Sequence, residues 1–168
     1  CHRRYCHFNL FIFTTIFHIM DVTTLLIILL VGAFATYFSG DKWAPKVALL
    51  VSLTALASAI CLLSQYNLGN EISCTQLWIA KPKIYLAFQA DGLALAMLLL
   101  TTALTPIIIF SSFGNTYKNS KTIYALIVFM SFAMSGTFLA SDGLLYYIFW
   151  ELSLIPIYFI ALIWGNGD

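Results

Sequence analysis

The chain alternates long apolar runs with short polar segments. Five of the runs reach or approach the length of a bilayer: Val22–Phe38, 47–66, 91–113, 122–140 and Gly143–Trp164. A hydrocarbon layer about 30 Å thick needs roughly 20 residues of helix, each rising about 1.5 Å. None of these runs carries a polar face at helical spacing, as expected where every side meets lipid or another helix. A helix closes its backbone hydrogen bonds within one segment, whereas a strand would need a polar alternate face that these runs lack. The pattern predicts an all-α fold, a polytopic transmembrane helix bundle of about five spans.

Composition agrees, because 61% of the residues are hydrophobic and 9% charged. A mean hydropathy of +0.92 is that of an integral membrane protein. The net charge of +1 supplies no basic field for nucleic acid, so the expected partners are the lipid bilayer and other membrane chains. Orientation follows from the excess of Lys and Arg in short cytoplasmic loops. Lys42, Lys46, Lys118 and Lys121 stand on one side, while Asp21, Glu71, Lys81, Lys83 and Asp142 stand on the other. The first set is expected in the cytoplasm and the Asp142 turn outside. The stretch between the second and third runs, with Trp78 and Pro82, reads as a mostly unstructured loop along the membrane surface.

Residues 1–19 stand apart. Arg3 and Arg4 precede an apolar stretch too short to span comfortably, and no small-x-small cleavage site follows. Met20-Asp21 before a full apolar run looks like a start, which makes 1–19 a non-native or interfacial extension. The spacing of Cys1-His2 and Cys6-His7 does not fit C-x-x-C-H haem attachment. Cys61 falls in an apolar run and Cys74 in a loop.

One carboxylate breaks the apolar pattern. Glu151 lies within GLLYYIFWELSLIPIYFIALIW, roughly 12 Å past the helix start at about 1.5 Å per residue. Inserting an acid at that depth costs at least ~2.5 kcal/mol, and polar groups kept there face a protein interior, a water-filled cavity or an ion path. Two roles fit it: a proton-translocating acid, or a protonated carboxyl bonded to a neighbouring helix. Desolvation favours the neutral form of a carboxyl and a nearby ammonium favours the anion, so moving an ammonium loads and unloads such an acid. The six lysines all lie in the segments between runs, so a cationic partner must come from elsewhere.

Pro156 and Pro106 free the carbonyls of Leu152 and Thr102. Ser153 stands beside the first, and Thr101, Thr102 and Thr105 surround the second. Two readings remain: local openings for water, or proline kinks satisfied by neighbouring helices. Asp91 and Asp142 precede runs and suit helix N-caps, where a carboxylate accepts backbone N–H bonds. Trp43, Trp78 and Trp164 suit an interfacial belt, and Trp150 is expected to pack inside. No metal-ligand spacing, glycine-rich phosphate loop or nucleophile–base pair is present, so neither metal nor cofactor is expected in this chain.

Two stretches carry a resemblance. FQADGLALAMLLLTTALTPIIIFSSF and, with more specificity, FLASDGLLYYIFWELSLIPIYFIALIWG resemble the third and fifth helices of the antiporter-like subunits of respiratory complex I. The core FWELSLIPIYF is most similar to the chain M type of NADH-quinone oxidoreductase, the subunit 4 type of mitochondria. Residues 20–168 would then be the N-terminal transmembrane part of a larger antiporter-like, proton-translocating subunit. The resemblance implies that Glu151 pairs with a lysine on a later helix, that electron transfer from NADH to quinone occurs in other subunits, and that the partners are membrane subunits of complex I. The partner lysine and second half-channel are expected beyond residue 168. The membrane would be the cell inner membrane or its energy-transducing equivalent. A D-type subunit of a multisubunit Na+/H+ antiporter, a membrane-bound hydrogenase subunit and a scaffold without transport remain alternatives.

Overall fold

The computed structural model describes residues 22–67, 73–79, 84–114 and 119–165, with backbone alone for 74, 76–79, 84 and 85. In chain order the elements are α1 (Val22–Phe38), α2 (Ala44–Asn67), β1 (Ser73–Ile79), β2 (Ile84–Gln89), α3 (Gly92–Ser111), α4 (Ser120–Leu139) and α5 (Gly143–Trp164). Residues 1–19, Met20, Asp21, Glu71, Lys81, Pro82, Lys83 and Lys118 lie outside the described residues. Helices α2 to α5 are long and apolar enough to cross a membrane, and α1 is a shorter apolar helix of 17 residues. The all-α bundle stands, with helices at all five expected runs. Helix α2 begins three residues earlier than its run because Pro45 falls in the first turn, where a missing N–H leaves no intrahelical bond unmade. Lys46 and Lys121 therefore sit in first helical turns rather than in loops.

Helix α4 is the centre, packed against α1, α2, α3 and α5. In its central stretch 56% of residues are buried, against only 6% in α5, which packs chiefly on α4 among the described helices. Lipid tails are as apolar as leucine, so burial away from water does not drive helices together here. Close packing does, and small residues at the contacts allow it. Gly32 of α1 is such a contact, since a Cβ there would run into the Val51 side chain of α2. Ala48, Ala55 and Ala59 continue the buried small face of α2.

The segment expected to be a loop is instead an antiparallel hairpin, in which Ser73 pairs with Gln89 and Thr75 with Ala87. Cys74 is accordingly on a strand, opposite Phe88. At the end of a bundle a pair of strands can satisfy its own backbone, and β-branched and aromatic residues such as Thr75 and Phe88 suit that pleated geometry. An apolarity scan for spans cannot separate this from a surface loop. The hairpin is anchored by Phe88, which is buried and bridges to Ala140, and by the Ser141 N–H, which donates to the Ala87 carbonyl at 2.9 Å.

These contacts sort the polar residues into two ends. At one, Asp41 accepts from the backbone N–H of Lys121 at 3.0 Å, gathering Lys42, Lys46 and Lys121. At the other lie the hairpin and the Asp142 turn. Single cysteines at positions 42 and 142 of a cysteine-free variant are expected to react with an impermeant thiol reagent from opposite sides, 42 from the cytoplasm. Labelling of position 142 from the cytoplasm would invert the bundle.

Candidate functional site

Helix α5 starts at Asp142, whose side chain accepts from the N–H groups of Leu144 at 2.9 Å and Leu145 at 3.4 Å. Asp91 does the same for α3, accepting from Ala94 at 2.7 Å. From its capped start α5 presents one row to α4, made of Leu145, Phe149, Ser153 and Pro156. Phe149 anchors that row, with its ring edge-on to Phe88 at 6.0 Å and Phe132 at 5.5 Å between centroids. It also lies against Gly136, where an added Cβ would collide with the ring.

At 3.6 residues per turn, Glu151 falls on the opposite side of α5 from that row. It is exposed on the surface of the bundle, as are Tyr147 and Tyr158. The three residues form an outward stripe. Tyr147, one turn before the acid, lies on the same face, with its hydroxyl close to the Glu151 carboxylate. Sequence reading did not single out Tyr147, although its spacing of four residues from an intramembrane acid was a usable signal. Trp150, expected to pack inside, is 46% exposed, with its ring tilted against that of Tyr147 at 6.2 Å between centroids. Of the lysines described, Lys46 and Lys121 sit over the rings of Trp43 and Tyr37 at the bundle end, far in sequence from α5.

The proline neighbourhoods differ from expectation. Ser153 donates to Trp150 O at 2.7 Å rather than to the freed Leu152 carbonyl. Thr101 donates to Met97 O, Thr102 to Leu98 O, and Thr105 to Thr101 O, each one turn back along α3. These hydroxyls are held by carbonyls that a proline does not vacate, because an i−3 or i−4 carbonyl lies within reach of a helical Ser or Thr whatever follows. Pro156 and Pro106 are both buried within the bundle.

Thr105 makes a second link, with its Oγ1 3.1 Å from Ser131 Oγ of α4. One hydroxyl proton cannot serve two acceptors, so the consistent order is Ser131 to Thr105 to Thr101 O. Thr101, Thr105 and Ser131 line a mostly apolar groove of about 420 Å³ over α4, closed on one side by Ile160 of α5. One turn from Ser131, Ser135 is fully buried with no partner for its hydroxyl among the described residues. The site is thus split: Thr101 and Thr105 gather with Ser131 at the α3–α4 groove, Pro106 is buried elsewhere on α3, Ser153 and Pro156 lie on the buried row of α5, and Glu151 is with none of these. Thr105→Val is expected to cost about 0.6 kcal/mol, the average for an interhelical hydrogen bond in a membrane, and Thr105→Ser nearly nothing. Thermal unfolding of the assembled protein checks both.

A bundle of apolar helices with an acid on the uncovered face of its last span defines an integral membrane protein carrying an intramembrane carboxylate. No family model matches the chain. Among curated proteins, it is 30% identical over 156 residues to F(420)H(2) dehydrogenase subunit M of Methanosarcina mazei, covering 89% of this chain and 31% of that protein. It is 30% identical over 133 residues to NAD(P)H-quinone oxidoreductase chain 4 2 of Synechococcus sp. (strain JA-3-3Ab), covering 75% and 25%. It is 33% identical over 130 residues to the chloroplastic NAD(P)H-quinone oxidoreductase chain 4 of Phaseolus vulgaris, covering 74% and 25%. The chain belongs to this family of chain 4 and subunit M proteins, the antiporter-like type M subunits related to complex I. It spans between a quarter and a third of the length of these three relatives.

Proposed function

We propose that this chain is part of a membrane subunit that translocates protons, coupled to electron transfer from NADH to quinone carried out by other subunits. The observation that carries the reading is the placement of Glu151: an acid deep in a span, on the face of α5 turned away from its own bundle. Lipid is an unfavourable neighbour for that face, by at least ~2.5 kcal/mol for the acid alone, so another protein helix covers it. A lysine on that helix would hold the carboxylate as an anion, and displacing the lysine would let the acid take up a proton.

Support for the coupling to quinone reduction comes from relatives named as chains of NAD(P)H-quinone oxidoreductase. The chain's own role is then ion movement, the other membrane subunits of such a complex are its partners, and the cell inner membrane or an equivalent energy-transducing membrane is its place. Proton pumping by the assembled complex carrying Glu151 variants, normalised to the amount of complex, tests the proposal.

A further inference from the structure

We propose that the end of the bundle formed by the α1–α2 turn and the start of α4 seats the headgroup of an anionic glycerophospholipid. Four contacts build the place. Asp41 takes the Lys121 N–H at 3.0 Å, which pulls the first turn of α4 onto the turn that carries Lys42. The Lys121 ammonium lies over the Tyr37 ring, 5.4 Å from its centroid, and the Lys46 ammonium lies over the Trp43 ring at 5.0 Å. The Thr36 carbonyl accepts from Ser39 at 3.0 Å, closing the end of α1 beneath them.

The chemistry of these contacts matters more than the number of lysines. An aromatic face attracts an ammonium without cancelling its charge, so Lys46 and Lys121 are placed and remain cationic. Asp41 is the carboxylate within this cluster, and its Oδ1 is engaged by a backbone N–H. Among the described residues of this cluster, three ammoniums against one carboxylate leave a net charge of +2. Trp43 is 58% exposed and Tyr37 45%, as suits rings at headgroup level with chains below them. Just beneath, Phe34, Phe38 and Leu50 are exposed apolar side chains against which acyl chains can lie. Charge complementarity selects a lipid phosphate with no compensating cation, such as phosphatidylglycerol, over the zwitterionic phosphatidylcholine.

The test uses the full-length protein containing this segment in phosphatidylcholine vesicles. A fluorophore on Leu53→Cys, an exposed position of α2 one turn beyond Leu50, in a variant without other cysteines, reports quenching by brominated phosphatidylglycerol or brominated phosphatidylcholine at equal mole fraction. The expected result is stronger quenching by the glycerol lipid, with each lysine contributing up to about fivefold in partition. Lys42→Gln, Lys46→Gln and Lys121→Gln together should erase the difference. Trp43→Leu, which leaves every charge and removes one ring, should reduce it less. If the triple variant does not insert, the pair Lys42→Gln and Lys46→Gln, both exposed, carries the same test. Equal quenching by the two lipids next to the unaltered lysines overturns the proposal, as does a preference that survives their removal.

Discussion

Glu151→Gln is expected to reduce coupled proton pumping by about two orders of magnitude, the scale of a lost proton-transfer group, while the complex still assembles. Gln has the shape and polarity of Glu and can hydrogen-bond Tyr147 or a neighbouring helix. It can neither release a proton nor pair as an anion with a lysine. Packing argues that assembly survives, because the side of α5 that holds the bundle together is Leu145, Phe149, Ser153 and Pro156, and Glu151 lies opposite it. Glu151→Asp keeps the charge but shortens its reach by one methylene, so partial pumping is expected. The measurement is proton uptake by vesicles containing the full-length complex, per mole of assembled complex. Pumping by the Gln variant at the wild-type level would leave Glu151 as a hydrogen-bonding residue only.

Gly136→Leu should have the largest effect on stability. Leucine has a better helix propensity than glycine, so the isolated helix would gain and any loss must come from packing. At Gly136 even a Cβ would collide with the Phe149 ring, and a leucine side chain forces α4 and α5 apart. Overpacking of this kind typically costs 1–3 kcal/mol, and about 2 kcal/mol is expected here. Because the main contact of α5 within the described bundle is with α4, parting these two helices removes most of what holds it there. Assembled complex in the membrane should fall steeply, with Gly136→Ala intermediate. Adding Phe149→Ala to Gly136→Leu should restore part of the loss, although Phe149→Ala alone is destabilising through its lost contacts with Phe88 and Phe132. Purely additive effects of the two changes would show that Gly136 acts through something other than this contact.

The membrane class, the five helices and the acid were legible in the sequence because each depends on local chemistry. A run of apolar side chains must close its own backbone hydrogen bonds in lipid, so hydropathy alone predicts helices at Val22–Phe38 and Gly143–Trp164, with the same limits found in the structure. Asp91 and Asp142 reach N–H groups two or three residues ahead, a distance set by the helix itself. The cost of placing Glu151 at depth is likewise a property of one residue and its medium.

What sequence could not supply depends on which segments meet. Spacing gives the side of α5 on which Glu151 lies relative to Phe149, but only the packing of α5 on α4 determines that this side faces outward and that Trp150 goes with it. The hairpin escaped because strand pairing is a relation between two segments, and neither β1 nor β2 announces it alone. The start of α4 is the clearest case. Asn119 stands at the N-cap position with φ of 59° and makes no side-chain capping bond, while Asp41, 80 residues earlier, accepts from Lys121. A carboxylate will satisfy whichever donor the fold brings within 3 Å, and no local pattern records that distance.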